Sequence, residues 1–226
     1  MHHDRRRFLG WLGGASLAGA AVPALSTAAH AEPRPPHAPH PRPIGDKWDM
    51  SWTDRVTGKH RAVFDSPEPA EGAALFRAVA WCEHYKEVYG VDRKDVSPVI
   101  VFRHKAIDLV MNDEYWKRFK VGKELKIKHE GKWAEVNPLS ARSSAKPSEP
   151  GKYTIESFLA SGGIVLACSW AFGMVVSRFK EKDKLEQAAA DAKARELLLP
   201  GVILQPNGIF AALRAQEAGC QYVMAS

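Results

Sequence analysis

Cys168 stands where an apolar run, Ile164 to Ala167, gives way to a stretch with helical spacing from about Ala171. A helix start carries partial positive charge and free N–H groups. Both favour a thiolate over a thiol, and the thiolate is the nucleophilic form of cysteine. The competing reading of Cys168 is a small buried hydrophobe, the usual condition of a free cysteine. Two further cysteines complete the set. Cys82 falls on the apolar face of a helix and reads as core, and Cys220 opens the last strand, as a structural residue or as a resolving partner for Cys168. No pair has CxxC spacing, which excludes a thioredoxin-type motif and a zinc ribbon, and an odd count leaves one thiol unpaired within the chain.

Other polar residues also end apolar runs. Asp65 and Ser66 close the first strand, Arg103 and His104 close the second, and Gln205 and Asn207 close a fourth. In an open α/β sheet, ligands collect at the carboxyl ends of the strands. On that placement an acid, a cation, an imidazole, a thiol and two amides share one crevice. Arg103 could hold an anion or serve only in a salt bridge. His104 could act as a base or orient a substrate, or merely cap a strand end. Asp65, Ser169 and Asn207 are the candidate ligand contacts. Trp170 and Phe172 beside Cys168 either shield a sulfur group from water or belong to helix packing.

The elements that must position these residues follow from hydrophobic period. His60–Phe64 reads as a strand, and Leu75, Val79, Cys82, Tyr85 and Tyr89 recur at helical steps, predicting a helix over 69–89 that ends at Gly90. The run 97–102 is continuously apolar, as in a strand buried on both faces, and a helix is expected from there to about Arg118. Residues 125–128 and 132–136 suggest a small hairpin around Glu130-Gly131 inside a polar insertion over about 122–151. Beyond it come a short helix (154–161) capped by Thr154, a strand (164–167), helices over 171–180 and 184–198, a strand (202–204), a helix from Pro206 to about Ala218, and a strand (221–224). Alternation of this kind predicts an α/β three-layer sandwich with a mostly parallel sheet of about five strands.

The N-terminus carries its own pattern. Arg5-Arg6-Arg7-Phe8-Leu9 fits Arg–Arg–x–Phe–Leu, a weakly apolar Gly/Ala stretch follows, and Ala29-His30-Ala31 gives the small–x–small exit. Together they predict a twin-arginine signal peptide over 1–31, cleaved after Ala31, the translocase as export partner, a periplasmic destination and no stable membrane anchor. Arg5, Arg6, Phe8, Leu9, Ala29 and Ala31 carry that reading. Removing 1–31 takes three arginines and one aspartate, so the formal charge falls from +6 to +4, and 195 of the 226 residues remain. The charges are dispersed, which argues against nucleic acid. Residues 32–43 hold six prolines, and 32–58 reads as a Pro-rich linker and extension before a domain at 59–226. His37 and His40 have no cysteine or carboxylate to complete a metal site. No haem, iron–sulfur or dinucleotide motif is present, so neither a cofactor nor a metal is expected.

The segment Gly163 to Ser169, and that from Leu199 to Gly219 with its LPGV–P–G pattern leading to AQ–G–Y, resemble the C-terminal half of DsrE-like proteins. Phe64-Asp65-Ser66-Pro67 and Val101-Phe102-Arg103-His104 resemble the first half more loosely. The resemblance covers about 60–120 and 154–224. It implies a compact α/β fold, oligomerisation, and a cysteine persulfide in sulfur transfer, a role that falls by position on Cys168. The expected function is therefore an exported sulfur carrier or thiol-redox protein, with small sulfur species or a partner thiol protein as its counterpart. The competing expectation is a non-catalytic ligand-binding or oligomeric assembly protein on the same fold. The insertion and the residues Ser169-Trp170-Ala171 depart from the family pattern.

Overall fold

In the computed structural model, which describes residues 44–140 and 151–226, two apolar strands form the centre of a parallel sheet. β1 (His60–Ser66) is buried from Ala62 onward and β2 (Val96–Phe102) along its whole length. Strands covered on both faces need apolar residues at every position rather than at alternate ones. The chain continues from β1 through α1 (Ala73–Tyr89) to β2, and on through α2 (Asp113–Phe119), α3 (Val121–Glu124), a hairpin of β3 (Lys128–His129) and β4 (Lys132–Trp133), and α4 (Ile155–Ala160). Next come β5 (Ile164–Cys168), α5 (Ser169–Asp183), α6 (Gln187–Glu196), β6 (Ile203–Gln205), α7 (Gly208–Glu217) and β7 (Gln221–Met224). The five long-range strands are all parallel, in the order β6-β5-β2-β1-β7.

The two faces are unequally covered. Leu75 of α1, Trp116 of α2, Phe158 of α4, Val175 and Phe179 of α5 and Ala190 of α6 pack on Phe64, Ile100, Phe102 and Val165. Among the described residues, the opposite face, formed by Val63, Val99, Val101, Ile164 and Leu166, is met by α7, through Ala211 and Ala215, and by a short 3-10 turn, Ser51–Arg55. Trp52 in that turn is fully buried. Part of the expected N-terminal extension before residue 59 therefore packs on the sheet. Full burial of such a side chain contributes roughly 1.5–3 kcal/mol, which is enough to fix the turn against the sheet.

Three segments differ from the sequence expectation. The helix from 69 starts only at Ala73, because Glu71 (φ 54°) and Gly72 (φ 83°) turn left-handed before it. The helix expected to run from Arg103–Lys105 to Arg118 is instead a 3-10 segment, His104–Val110, followed by a separate α2. Asn137 explains the break. Its buried amide donates to the carbonyls of Leu109 (2.6 Å) and Met111 (2.7 Å), acceptors that a continuous α-helix would use itself. Asn112 then caps α2, its Oδ1 accepting from the N–H of Tyr115 at 3.1 Å. Lastly, the expected hairpin is only two residues deep on each side, and the insertion is not simply polar: Ile127, Ala134 and Leu139 join the core. Thr154 does cap α4 as expected, accepting from the N–H of Ser157 at 3.1 Å.

Asn137 thus ties the insertion to the 3-10 segment, and its Oδ1 accepts in turn from the N–H of Leu139 at 2.9 Å. Replacing Asn137 by Ala strands two buried carbonyls and one N–H, at about 1–3 kcal/mol for each unsatisfied group with partial relief by water. The expected loss is about 3 kcal/mol in urea unfolding, with the circular-dichroism spectrum at zero urea unchanged. A loss under 0.5 kcal/mol would show that the insertion is not anchored there.

Candidate functional site

β5 and β6 are neighbours, yet the chain leaves them on opposite sides of the sheet, toward α5 after β5 and toward α7 after β6. Adjacent strands whose connections diverge open a crevice at their carboxyl ends. A cavity of about 270 Å3 occupies that place, lined by Arg103 and His104 from the end of β2, Cys168 from β5, Trp170, Ala171 and Met174 from α5, and Asn207, Gly208 and Ile209 from the start of α7. Four of the candidates read from sequence therefore meet in one wall: Cys168, His104, Arg103 and Asn207.

Cys168 is the N-cap of α5. Its Sγ accepts from the N–H of Ala171 at 3.4 Å, within hydrogen-bond range for sulfur. The residue is 6 % exposed, and the cavity gives its sulfur an opening to solvent. Trp170 (74 % exposed), Met174 and Ile209 form an apolar rim around that opening. Phe172, by contrast, is buried in the core and does not reach the cavity.

Cys82 and Cys220 differ from Cys168 in chemistry and in place. Burial pushes the Cys82 thiol up to about 11 and the Cys220 thiol up to about 12. Cys220 precedes the amino end of β7, whereas Cys168 ends β5 at the carboxyl edge, with β2 and β1 lying between the two strands. Three strand spacings of ~4.8 Å, added to opposite ends of a parallel sheet, far exceed the ~7 Å limit on Cα separation in a disulfide. Cys220 is therefore not a resolving partner for Cys168 within the chain, and all three cysteines are free.

Arg103 lies against α7, where Gly208 makes room for it: a Cβ at 208 would sit 2.6 Å from its Cβ and Cδ. Its guanidinium forms a side-on pair with the buried Asp65, Nε to Oδ1 and Nη2 to Oδ2, both at 2.8 Å. The Tyr222 hydroxyl adds a third bond to Asp65, donating to Oδ2 at 2.7 Å. Asp65 raises the Arg103 guanidinium further into its charged range, while burial and the same carboxylate push the Tyr222 phenol up. This corrects the reading of Asp65 as a ligand contact. It lies behind the cavity wall with both oxygens engaged and acts as an anchor for Arg103. The two bonds to Asp65 engage Nε and Nη2 and leave the Nη1 end of the guanidinium outside that pair, on a residue that lines the cavity.

His104 has a left-handed backbone, φ 50°, and its Nδ1 is 3.3 Å from Glu68 Oε1. Asn207 caps α7, its Oδ1 accepting from the N–H of Phe210 at 2.8 Å, which fixes the amide at the cavity mouth. Ser169, the first residue of α5, does not line the cavity. Sequence reasoning missed Met174 and Ile209 in the rim and Tyr222 on Asp65. Gly208, between Asn207 and an amphipathic stretch, was the readable sign of a close approach.

Residues 5, 6, 8, 9, 29 and 31 of the export signal, and His37 and His40, lie outside the described residues. Among those described, no helix is long and apolar enough to cross a membrane, and no cluster of three His, Cys, Asp or Glu could hold a metal. Comparison with protein-family models, with curated proteins and with solved structures returns no match.

Two outcomes are expected. At pH 8, methyl methanethiosulfonate should modify one thiol per chain rapidly, and Cys168→Ala should abolish that phase, because the thiolate fraction of Cys82 is then about one part in a thousand. Fast modification surviving in Cys168→Ala would contradict the assignment. Separately, Arg103→Met should destabilise by roughly 3 kcal/mol, since it leaves Asp65 buried without its cation. Adding Asp65→Asn should recover part of that loss. A purely additive double-mutant cycle in urea melts would sink the pairing as an energetic element.

Proposed function

We propose that the chain is an exported, DsrE-like α/β protein in which Cys168 takes up sulfane sulfur and passes it to an acceptor thiol. The observation that carries this reading is the setting of Cys168. Of the three thiols it is the one that combines a helix N-cap, an N–H donor to sulfur and a cavity open to a small molecule. The other two are held as thiols by burial.

The chemistry needs no cofactor. The Cys168 thiolate attacks a sulfane sulfur of a polysulfide; the S–S bond breaks, the shortened polysulfide leaves as an anion, and Cys168 becomes a persulfide. Attack by an acceptor thiolate on the outer sulfur reverses the exchange and restores Cys168. Both steps conserve electrons. An incoming polysulfide is anionic, and the Nη1 end of the Arg103 guanidinium and the start of α5 offer it positive potential. The rim of Trp170, Met174 and Ile209 limits water at the bound sulfur. Twin-arginine export to the periplasm, and the translocase as a transient partner, belong to the same proposal and rest on Arg5, Arg6, Phe8 and Leu9.

Intact mass before and after polysulfide treatment tests it. Wild type should gain about one sulfur (~32 Da), removed by dithiothreitol, and Cys168→Ala should gain none. Wild type that stays folded and reduced but gains nothing would overturn the sulfur reading and leave a ligand-binding module on this fold.

A further inference from the structure

A second cavity, of about 580 Å3, adjoins the first, and Met174 lines both. The His104–Glu68 pair also spans the boundary, His104 lining the first cavity and Glu68 the second. Most charges in the second wall are already committed. Asp108 is buried and accepts from the Tyr115 hydroxyl at 2.7 Å and from Arg178 Nη1 at 3.0 Å, while Arg178 Nη2 reaches Glu124 at 2.7 Å. Lys105 lies 3.5 Å from Glu68. Two side chains of opposite sign remain, Glu71 and Lys126, with no hydrogen-bond or ion-pair partner among the described residues.

The backbone marks the same place independently. Glu71 (φ 54°) and Lys126 (φ 59°) are both left-handed, as are Ala70 (φ 38°) in the second wall and His104 (φ 50°) in the first. Among the described residues, four of the seven non-glycine residues with positive φ therefore line these two cavities. Such conformations cost about 1–3 kcal/mol each and gather at ligand clamps and active sites. None of the four is an Asn or Asp, the non-glycine types that tolerate the region best.

We infer that this cavity holds the charged, non-reacting end of a zwitterionic low-molecular-weight thiol, disulfide or persulfide, with Glu71 meeting its ammonium group and Lys126 its carboxylate, while its sulfur reaches past Met174 to Cys168. The inference rests on the reading of Cys168 as a reactive thiol. A simple anion would meet Glu68, Glu71 and Glu124, and a simple cation would meet Lys105, Lys126 and Arg178; a ligand bearing both signs meets a partner for each. Because the charges and the thiol lie in adjoining cavities, the zwitterion must stand several bonds from the sulfur, as in a γ-glutamyl thiol. In the exchange the Cys168 thiolate attacks one sulfur of the disulfide, the S–S bond breaks, one half leaves as a thiolate and the other remains as a mixed disulfide. The disulfide itself is the oxidant, one of its sulfurs being reduced to the departing thiolate.

The test compares glutathione disulfide with the neutral bis(2-hydroxyethyl) disulfide. Mixed-disulfide formation on Cys168 is followed by intact mass, and each rate is divided by that of the same reagent with free mercaptoethanol. Glutathione disulfide should be preferred about tenfold. Glu71→Gln and Lys126→Met should each cut that preference at least about fivefold and leave the neutral reagent and polysulfide uptake unchanged. Equal normalised rates, or a preference untouched by both substitutions, overturn the inference and leave the sulfur reading standing if polysulfide still loads Cys168. Should Cys168 react with none of these reagents, the sulfur reading fails, and calorimetric titration with S-methylglutathione decides the cavity alone. Binding below about 1 mM that is lost in Glu71→Gln would keep it, and its absence would remove it.

Discussion

After β5 the chain crosses to the helical layer that holds α5, and after β6 it crosses to α7 on the other face. Neighbouring strands that part in this way cannot close their carboxyl ends over each other, so the space between them stays open. Everything at that edge depends on the divergence. It places the start of α5, with Cys168 as its cap, opposite the start of α7, with Asn207 as its cap. Two helix N-termini then face one cavity, and their dipoles add in sign at the same point. If α7 lay on the same face as α5, the cavity would be filled by helix packing and Cys168 would be as enclosed as Cys220.

The Asp65–Arg103–Tyr222 cluster follows from the same geometry. Arg103 leaves β2 on the side of α7, where Gly208 gives it space, and turns to Asp65 on the next strand. A buried pair of this kind is poor evidence for stability, because desolvation offsets much of the Coulomb gain. Its value here is positional. Side-on contact through Nε and Nη2 fixes the plane of the guanidinium and leaves the Nη1 end outside the pair. Tyr222, from the edge strand β7, then secures the carboxylate from the far side, so the last strand contributes to the site through Asp65 without lining the cavity.

Much of the frame was legible in the sequence, because its signals are local. Continuous apolar runs marked β2 and β5, the step from strand to helix at Cys168 marked a cap, and alternation marked a parallel sheet. The convergence of Cys168, Arg103, His104 and Asn207 followed from strand direction alone. What was not legible depends on partners far along the chain. Nothing local distinguishes an Asp65 that binds a ligand from one that anchors Arg103 across 38 positions. The 3-10 course of 104–110 is imposed by Asn137, more than 25 residues downstream. Trp52 fell in the extension before the expected domain because the surface that buries it, the face under α7, is assembled from distant strands.

The left-handed residues form a further class that residue type could not reveal. Glycine announces positive φ, whereas alanine, glutamate, histidine and lysine give no such sign. A sequence free to relax that strain would place glycine or asparagine at 70, 71, 104 and 126, at a gain of order 1 kcal/mol each. At 71, 104 and 126 that exchange would delete a carboxylate, an imidazole and an ammonium group from the walls of two adjoining cavities. The side chains and the strained backbone are thus alternatives at each position, and at all three the chain carries the side chain.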